Sequence, residues 1–232
     1  MKVLDLFCGR KGWSAAFAER GHEVVTLDFD GKFSPTYCAD VMEVESVKGF
    51  DVVLASPDCR CFSVAALSRN WEMLPGGSFR PRNADAAHQL VVVNHAVSLI
   101  KASGCQFFAV ENPQAMMRKV VPSLRDLPRA TVTYCQYGEA RMKPTDIWGV
   151  FPESWVPKRC DYGDPCHPYT PRGCKTVGTQ AIDGADKRAM IPKPLSLDFC
   201  LACERDFDGI GRGTPSVNLI HSSPTMEDFI AA

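Results

Sequence analysis

The sequence predicts an α/β fold with a mostly parallel sheet, helices on both of its faces and a small irregular appendage. Over the first 135 residues, short apolar runs that are typical of buried strands alternate with helical patterns. Such alternation builds parallel sheets, because a crossover helix carries the chain from one strand to the next. From about residue 155 to residue 180, frequent prolines and glycines interrupt both patterns and indicate an irregular segment.

Five strands and two helices account for the first part of the chain. Each strand pattern is a run of mainly apolar residues, and a glycine follows each helix pattern as a stop signal. The strands are predicted at residues 2–7, 23–27, 50–55, 106–110 and 130–135, and the helices at residues 13–20 and 84–102. Ligands bind at the carboxyl ends of the strands in such sheets, so we expect the functional residues directly after the strands.

Charge is distributed unevenly, although the 232 residues carry a formal net charge of only −1. Residues 141–193 hold 9 basic and 6 acidic side chains, whereas residues 194–232 hold 2 basic and 6 acidic ones. A near-zero sum of this kind does not exclude a nucleic-acid partner, because an acidic tail can offset a basic face elsewhere.

Hydropathy predicts a cytoplasmic protein without a membrane partner, and we expect it to be a monomer. No apolar run is long enough to span a bilayer, and the amino terminus begins with a strand pattern instead of the apolar segment of a signal peptide. We therefore expect reduced thiols, which leaves burial, catalysis or metal binding as roles for the 11 cysteines.

A glycine-containing turn joins the first predicted strand to the first helix, over residues 5–14 (Asp-Leu-Phe-Cys-Gly-Arg-Lys-Gly-Trp-Ser). Glycines let the backbone approach a ligand closely. Asp28 follows the second strand and could accept hydrogen bonds from ribose hydroxyls, and Asp40 could accept one from an adenine amino group. Together these features predict a cofactor that contains a nucleoside; a tight turn without a ligand and two solvated acids are the alternative.

Two further strand ends carry reactive groups. Pro57 begins a turn that presents Cys59, and the neighbouring Arg60 could supply the cation that lowers the pKa of this thiol. Glu111 follows the strand at 106–110, where a protonated carboxyl group could donate to a ring nitrogen of a heterocycle in the same crevice. An incidental cysteine and a turn carboxylate are the alternative interpretation.

These segments together resemble the DNA (cytosine-5) methyltransferase family. Residues 57–63 (Pro-Asp-Cys-Arg-Cys-Phe-Ser) are similar to the Pro-Pro-Cys-Gln-x-Phe-Ser motif of the family, and Glu111-Asn112 is similar to its Glu-Asn motif. Residues 135–143 resemble the motif that ends in cytosine-contacting arginines, and residues 191–195 resemble the last motif. The sequence of residues 143–148 (Lys-Pro-Thr-Asp-Ile-Trp) resembles the compact phage-encoded branch of this family.

The resemblance implies a Rossmann-like fold that uses S-adenosylmethionine and a role for each matching residue. It implies four catalytic residues, of which the last two are rival candidates for the cytosine contact: Cys59, Glu111, Arg141 and Lys143. The implied cofactor-binding residues are Phe7, Cys8, Gly9, Lys11, Gly12, Asp28, Asp40 and Pro57. The implied substrate-binding residues are Arg60, Ser63, Arg69, Arg80, Arg82 and Asn112.

The implied reaction is methyl transfer from S-adenosylmethionine to carbon 5 of a flipped-out cytosine in DNA, through a covalent intermediate on Cys59. We divide the chain into a catalytic domain (1–152), a short substrate-recognition segment (153–187), a returning helix (188–205) and a flexible acidic tail (206–232). We expect residues 60–82, with four arginines and a Pro-Gly-Gly hinge, to form a mobile loop that meets phosphates.

Three alternatives remain open at this point. The same chemistry could act on a free cytidine nucleotide or on RNA, because the recognition segment is short. Lys11 stands where the family has a glycine, so it could recognise a carboxylated S-adenosylmethionine and favour carboxymethyl transfer. The chain could also be a non-catalytic nucleic-acid-binding module on the same fold.

Several cysteines in the last third of the chain raise the question of zinc. Cys160, Cys166, His167 and Cys174 could ligate it, with Cys200 and Cys203 as a further pair. The five residues between Cys160 and Cys166 are more than a zinc knuckle usually has, so we expect burial instead of a metal, with zinc as the alternative.

Overall fold

A computed structural model describes residues 1–171, 174 and 176–220 of the chain. It contains eleven strands among these residues: β1 (Lys2–Leu6), β2 (Glu23–Asp28), β3 (Tyr37–Cys38), β4 (Val44–Lys48), β5 (Val52–Ala55), β6 (Trp71–Met73), β7 (Phe79–Pro81), β8 (Phe107–Pro113), β9 (Arg129–Thr133), β10 (Pro144–Val150) and β11 (Ser216–Leu219). The α-helices of the same part are α1 (Ala15–Glu19), α2 (Leu67–Asn70), α3 (Ala84–Ala102), α4 (Met117–Val120), α5 (Ala185–Ala189) and α6 (Lys193–Asp206).

Seven strands form one central sheet in the order β3-β2-β1-β5-β8-β10-β9. The five strands from β3 to β8 are parallel, and β10 runs antiparallel to both of its neighbours. This mostly parallel sheet with flanking helices confirms the predicted α/β, Rossmann-like class. The parallel order also brings the carboxyl ends of β1, β2, β5 and β8 to one edge of the sheet.

Two apolar layers cover the sheet, because alternate residues of each strand point to opposite faces. On β1, Val3 belongs to the layer beneath α1 and α6, whereas Leu4 and Leu6 belong to the layer beneath α3. The returning helix α6 packs beside α1, where the ring of Phe199 contacts that of Trp13 in a tilted arrangement with centroids 5.5 Å apart. Both faces of the sheet are therefore buried, as a parallel sheet requires.

The strand β10 was not predicted, although all of its residues except the first and the last are buried. Its first half reads as a polar turn, but Asp146 is 0% exposed and accepts hydrogen bonds from Arg118 and Thr131. Its Gly149 lies so close to β8 that a Cβ atom there would be 1.8 Å from the carbonyl oxygen of Phe108. The burial of Asp146 and the close approach of Gly149 both depend on residues that are distant in sequence, so the local sequence pattern did not indicate a strand.

Residues 60–82 differ from the predicted mobile loop. They form α2 and an antiparallel hairpin of β6 and β7, whose turn contains Gly76 and Gly77 at positive φ. The hairpin is anchored by Trp71, which is 2% exposed and donates from Nε1 to the carbonyl oxygen of Cys61 at 2.7 Å. A buried indole thus fixes the start of a segment whose arginines suggested a solvated loop.

The chain beyond Asp206 also differs from its prediction as a flexible tail. Ser216–Leu219 pairs antiparallel with β4, and the Arg212 guanidinium lies 3.5 Å from the carboxylate of Asp51. A Cβ atom at Gly49 would lie 2.3 Å from the carbonyl oxygen of Thr214, so only glycine permits this approach. The flexible-tail prediction is therefore wrong for the part that includes β11, and residues 221–232 lie outside the described residues.

Among the helices of the described residues, none combines the length and the apolar character that a bilayer crossing requires.

Candidate active site

A cavity of about 400 Å³ opens at the carboxyl ends of β1, β2, β5 and β8. Its volume lies within the range of small-molecule sites, which is roughly 300–1,000 Å³. Ten of the predicted site residues line it: Phe7, Cys8, Gly9, Gly12, Asp28, Pro57, Cys59, Arg60, Glu111 and Lys143. The eight predicted residues outside the lining are Lys11, Asp40, Ser63, Arg69, Arg80, Arg82, Asn112 and Arg141.

The turn after β1 is bound to the end of β2 by the carboxylate of Asp28. Gly9, at φ +46°, donates from its backbone N–H to Oδ2 of Asp28 at 2.9 Å, and Asp30 N–H donates to Oδ1 at 2.9 Å. A Cβ atom at Gly12 would lie 3.0 Å from the backbone N and O of Ile191. Glycine at this position therefore allows the segment before α6 to close one wall of the cavity.

Asp5 lines the cavity and was not among the predicted site residues. It is 1% exposed, and the Ser14 hydroxyl donates to its Oδ2 at 2.6 Å. Its Oδ1 is buried without a hydrogen-bond partner among the described residues. Burial raises the pKa of this carboxyl to about 7. An acid inside a buried strand, just before a glycine turn, is the signal that could have identified it.

Two groups of lining residues were also missed. Phe29, Asp30 and Phe33 follow β2 directly, and Phe29 leaves 68% of its surface exposed beside Asp28. Met190 and Ile191 come from the segment before α6. The first group was detectable from its position after a strand, and Ile191 of the second group begins residues 191–195, whose resemblance to the last motif of the family implied a return to the cofactor.

The thiol of Cys59 has a high pKa in this environment. Burial raises the pKa to about 11, the neighbouring Glu111 carboxylate adds to the rise, and the Lys143 ammonium opposes it. Arg60 is not the activating cation that the sequence predicted, because its Nε donates to the carboxylate of Asp58 at 2.5 Å and its side chain is mostly exposed. The cation that favours the Cys59 thiolate is therefore Lys143.

Glu111 is a buried carboxyl group at the end of β8. The Tyr134 hydroxyl donates to its Oε1 at 3.0 Å, and the Lys143 ammonium lies 4.0 Å from the same oxygen. Burial raises the pKa of Glu111, although the positive charge of Lys143 opposes the rise. Burial and the charge of Lys143 thus act on this carboxyl group in opposite directions.

Lys143 and Arg141, the two rivals for the cytosine contact, occupy different surroundings. Lys143 lines the cavity, and its ammonium lies 4.3 Å from the centre of the Tyr134 ring. Arg141 instead donates to the Glu139 carboxylate at 3.0 Å and to the carbonyl oxygen of Arg188 at 3.0 Å. The geometry therefore favours Lys143 as the residue that faces a ligand.

Asn112 is fully buried behind the cavity wall. Its Nδ2 donates to the carbonyl oxygen of Pro57 at 2.8 Å, which ties β8 to the turn that carries Cys59. Its Oδ1 has no hydrogen-bond partner among the residues that the structure describes.

Lys11 and Asp40 make local contacts at the rim. The Lys11 ammonium donates to the carbonyl oxygen of Ser34 at 2.7 Å, and Lys11 adopts φ +59° at the place where the related motif has a glycine. Asp40 is exposed, and its Oδ1 accepts a hydrogen bond from Met42 N–H at 2.9 Å at the start of a short 3₁₀ turn.

The remaining predicted substrate contacts lie on the segment 60–82, beyond the cavity. Ser63 N–H donates to the carbonyl oxygen of Cys59 at 2.9 Å and closes the turn of the nucleophile. Arg69 is exposed, whereas Arg80 pairs with Glu72 at 2.7 Å and Arg82 donates to the carbonyl oxygen of Trp71 at 3.1 Å.

The solved structures that resemble this chain include two methyltransferases of low sequence identity. The Entamoeba histolytica methyltransferase EhMeth is 11% identical, with a TM-score of 0.47 over 69% of this chain and 57% of that one. The S. pombe Dnmt2 methyltransferase is 12% identical, with a TM-score of 0.43 over 67% and 53%. The chain thus spans a little over half the length of these proteins, and scores this low support no argument.

Sequence comparison gives a firmer result. No model of a protein family matches the chain. A curated relative, "Probable DNA (cytosine-5)-methyltransferase" of Frog virus 3 (isolate Goorha), is 31% identical over 175 residues, which are 72% of this chain and 78% of the relative. On this identity and coverage, the chain belongs to the DNA (cytosine-5)-methyltransferase family, whose members are S-adenosylmethionine-dependent transferases.

Proposed function

We propose that the protein transfers a methyl group from S-adenosylmethionine to carbon 5 of cytosine in DNA, through a covalent bond to Cys59. The observation that carries this proposal is the convergence of Cys59, Glu111 and Lys143 on one cavity beside the glycine turn. A thiol, a carboxyl group with a raised pKa and an ammonium group are the groups that this reaction needs.

The lining of the cavity fits S-adenosylmethionine. The buried Oδ1 of Asp5 lacks a partner among the described residues, so it can accept a hydrogen bond from an ammonium group. Asp28 can accept from ribose hydroxyls, and the exposed ring of Phe29 offers an apolar face to a base. When bound, this cofactor supplies an electrophilic methyl carbon on a sulfonium sulfur.

The residues around Cys59 explain how the thiol can react despite its pKa of about 11. At neutral pH the resting thiol keeps its proton, so this proton must pass to solvent as sulfur bonds to carbon 6 of the cytosine ring. A protonated Glu111 would donate to ring nitrogen N3 and stabilise the negative charge that develops there. Carbon 5 then bonds to the methyl carbon, whose bond to the sulfonium sulfur breaks. Loss of the carbon 5 proton to solvent expels the Cys59 thiolate and restores the aromatic ring.

The position of Cys59 requires an unstacked base. The thiol lines a recessed cavity, and a cytosine within a duplex cannot reach it, so the target must be flipped out or single-stranded. We assign phosphate contacts to Arg60, Arg69, Arg80 and Arg82, and a contact with the flipped nucleotide to Ser63, whose N–H closes the turn of Cys59. Asn112 acts as a positioning residue, because its amide is bound to Pro57.

The contacts of Lys11 favour S-adenosylmethionine over a carboxylated S-adenosylmethionine as the donor. Lys11 is bound to the Ser34 carbonyl and lies outside the lining of the cavity, so it offers no cation to an additional carboxylate there. Mass spectrometry of the product nucleosides tests this choice, with equal amounts of the ordinary and the carboxylated donor. We expect a gain of one methyl group; a carboxymethyl product would contradict it.

The decisive experiment traps the covalent intermediate. The full chain is incubated with S-adenosylmethionine and random-sequence DNA, duplex or single-stranded, that contains 5-fluorocytosine. Fluorine at carbon 5 cannot leave as a proton does, so we expect a stable adduct that peptide mapping locates at Cys59. Cys59→Ser should abolish the adduct and slow methyl transfer by at least ~10³-fold.

Cys61→Ser is the matched control, because this thiol is buried outside the cavity two residues further on. It should retain the adduct. An adduct on another residue, or none with either DNA, would contradict the proposed nucleophile. Methylation of RNA or deoxycytidylate but not of DNA would contradict the proposed substrate while leaving the role of Cys59 intact.

A further inference from the structure

Four side chains with metal-binding atoms meet outside the lining of the cavity. Cys135 lies in the 3₁₀ turn that follows β9, and Cys160, Cys166 and His167 come from the irregular segment after β10. The ligand atoms of all four lie within 4.8 Å of one another. The chain thus brings together three thiols and one imidazole from two separate parts of its sequence.

The spacing of these atoms matches a tetrahedral zinc site. The Sγ atom of Cys135 lies 3.2 Å from that of Cys160 and 3.6 Å from that of Cys166. The Nδ1 atom of His167 lies 3.7 Å from Sγ of Cys160 and 3.4 Å from Sγ of Cys166. Zinc–sulfur bonds of about 2.3 Å and zinc–nitrogen bonds of about 2.0 Å give tetrahedral edges of roughly 3.8 and 3.5 Å.

Backbone contacts hold the two segments in register around the cluster. Cys160 N–H donates to the Thr133 hydroxyl at 2.9 Å, and Thr133 N–H donates to the carbonyl oxygen of Lys158 at 3.1 Å. Cys135 and Cys160 are buried, Cys166 is exposed and His167 is partly exposed. Few apolar side chains are buried between residues 157 and 171, so hydrophobic packing alone gives this segment little support.

We propose that Cys135, Cys160, Cys166 and His167 bind one zinc ion that fastens the irregular segment to the turn after β9. Four protein ligands leave no open position, so the ion is structural and not catalytic. Each of the three thiols loses its proton to solvent when the ion binds. The neighbour of Cys135 is Tyr134, which donates to Glu111 of the cavity lining, so one residue separates the proposed ion site from a partner of Glu111.

The spacing between Cys160 and Cys166 argued against zinc because one of the four proposed ligands lies in a different part of the sequence. The fourth ligand is Cys135, which lies before β10, and not the predicted Cys174, whose thiol lies 3.4 Å from the Thr176 hydroxyl. Cys200 approaches His22 and Glu204, but that group has only three members and both partners already join ion pairs or hydrogen bonds. We therefore assign one site to the described part of the chain.

Metal analysis of the full chain tests the proposal without reference to methyl transfer. Protein purified without added zinc or chelator should contain one equivalent of zinc, as measured by elemental mass spectrometry. Cys135→Ser and Cys166→Ser should lose most of it, and His167→Ala should do the same. Cys174→Ser is the matched control and should retain one equivalent, and His167→Cys should restore binding through a fourth thiolate.

A second measurement covers variants that fail to fold. Zinc released from the wild-type chain by a thiol-blocking reagent is measured with a coloured chelator, and one equivalent should appear as three thiolates are modified. Wild-type protein without zinc that also takes up none on addition would overturn the proposal. So would equal zinc loss in Cys174→Ser, or an intact mass two hydrogens lighter that maps to a Cys135–Cys160 disulfide.

Discussion

At the scale of single residues, burial and charge compete over the proton of Cys59. Burial and the Glu111 carboxylate hold the pKa of the thiol near 11, while Lys143 lowers it. Lys143 is itself buried, which lowers the pKa of its ammonium. The pKa of Lys143 therefore depends on how much water reaches it. A substrate that displaces this water would change the pKa of Lys143 and the pKa of Cys59 together.

This balance gives a prediction about the reactivity of Cys59. Lys143→Met removes the charge that favours the thiolate, so the pKa of Cys59 should rise above 11 and its alkylation at pH 9 should slow, by roughly tenfold for a shift of one unit. Alkylation rates with iodoacetamide, followed by peptide mapping, measure this. Arg60→Met is the control and should leave the rate unchanged; an equal effect in both variants would restore Arg60 as the activating cation.

The sequence placed the candidate reactive residues in one cavity but did not identify their partners. Cys59 and Glu111 both line it, as expected from their positions at the ends of predicted strands in a parallel sheet. The role predicted for Arg60 failed, because its neighbour Asp58 binds the guanidinium. Lys143 could not be separated from Arg141 by spacing, since its orientation depends on a backbone φ of +32° and on packing against Tyr134.

At the scale of elements, the cavity depends on contact between the turn after β1 and the segment before α6. Gly12 meets Ile191 there, and Arg10 pairs with Asp186 at 2.6 Å. In addition, the Ser196 hydroxyl of α6 donates to the carbonyl oxygen of Trp13 at 2.5 Å. The wall formed by residues 185–191 is therefore held by glycine contact, one ion pair and the packing of α6.

Gly12→Ala tests this contact. The new Cβ atom would lie 3.0 Å from the Ile191 backbone, so the wall must shift, and we expect a loss of about 1–2 kcal/mol in the free energy of unfolding together with weaker binding of S-adenosylmethionine. Urea unfolding and calorimetric titration measure the two effects. Gly211→Ala is the control, because its Cβ atom would meet nothing within 4 Å; equal losses in both variants would contradict a specific contact.

The elements that local pattern predicted well are those with runs of mainly apolar residues or a long helical pattern. The long helix was predicted at 84–102, as observed for α3, and the five predicted strands correspond to β1, β2, β5, β8 and β9. In contrast, β10 and β11 obtain their stability from distant partners, so their short polar-rich runs carry no clear local signal. The contact between Cys135 and Cys160 escaped prediction for the same reason.

At the scale of the whole molecule, Asp5 of the cavity lining makes the free energy of unfolding depend on pH. Its pKa is about 7 in the folded chain and 3.8 in its ordinary state. Between these values the folded chain binds one more proton than the unfolded chain, so the free energy of unfolding falls as pH rises from about 4 to 7. The contribution is full below pH 4 and is lost by the time pH passes 7.

Asp5→Asn should remove this dependence. The difference between variant and wild type in the free energy of unfolding should change by about 4 kcal/mol in favour of the variant between pH 4 and pH 7.5, because asparagine does not ionise. Urea unfolding at several pH values, without cofactor, measures it. Asp126→Asn, at an exposed site, should follow the wild-type profile; parallel curves for Asp5→Asn would contradict a shifted pKa.

The position of α6 late in the chain has a consequence for biosynthesis. This helix supplies Leu195 and Phe199 to the apolar layer that covers Trp13 and Phe17. While the ribosome is still making the middle of the protein, that layer has no cover and the wall with Ile191 does not yet exist. The nascent protein must therefore display an apolar surface that chaperones recognise, and it acquires the cavity only after synthesis has passed α6.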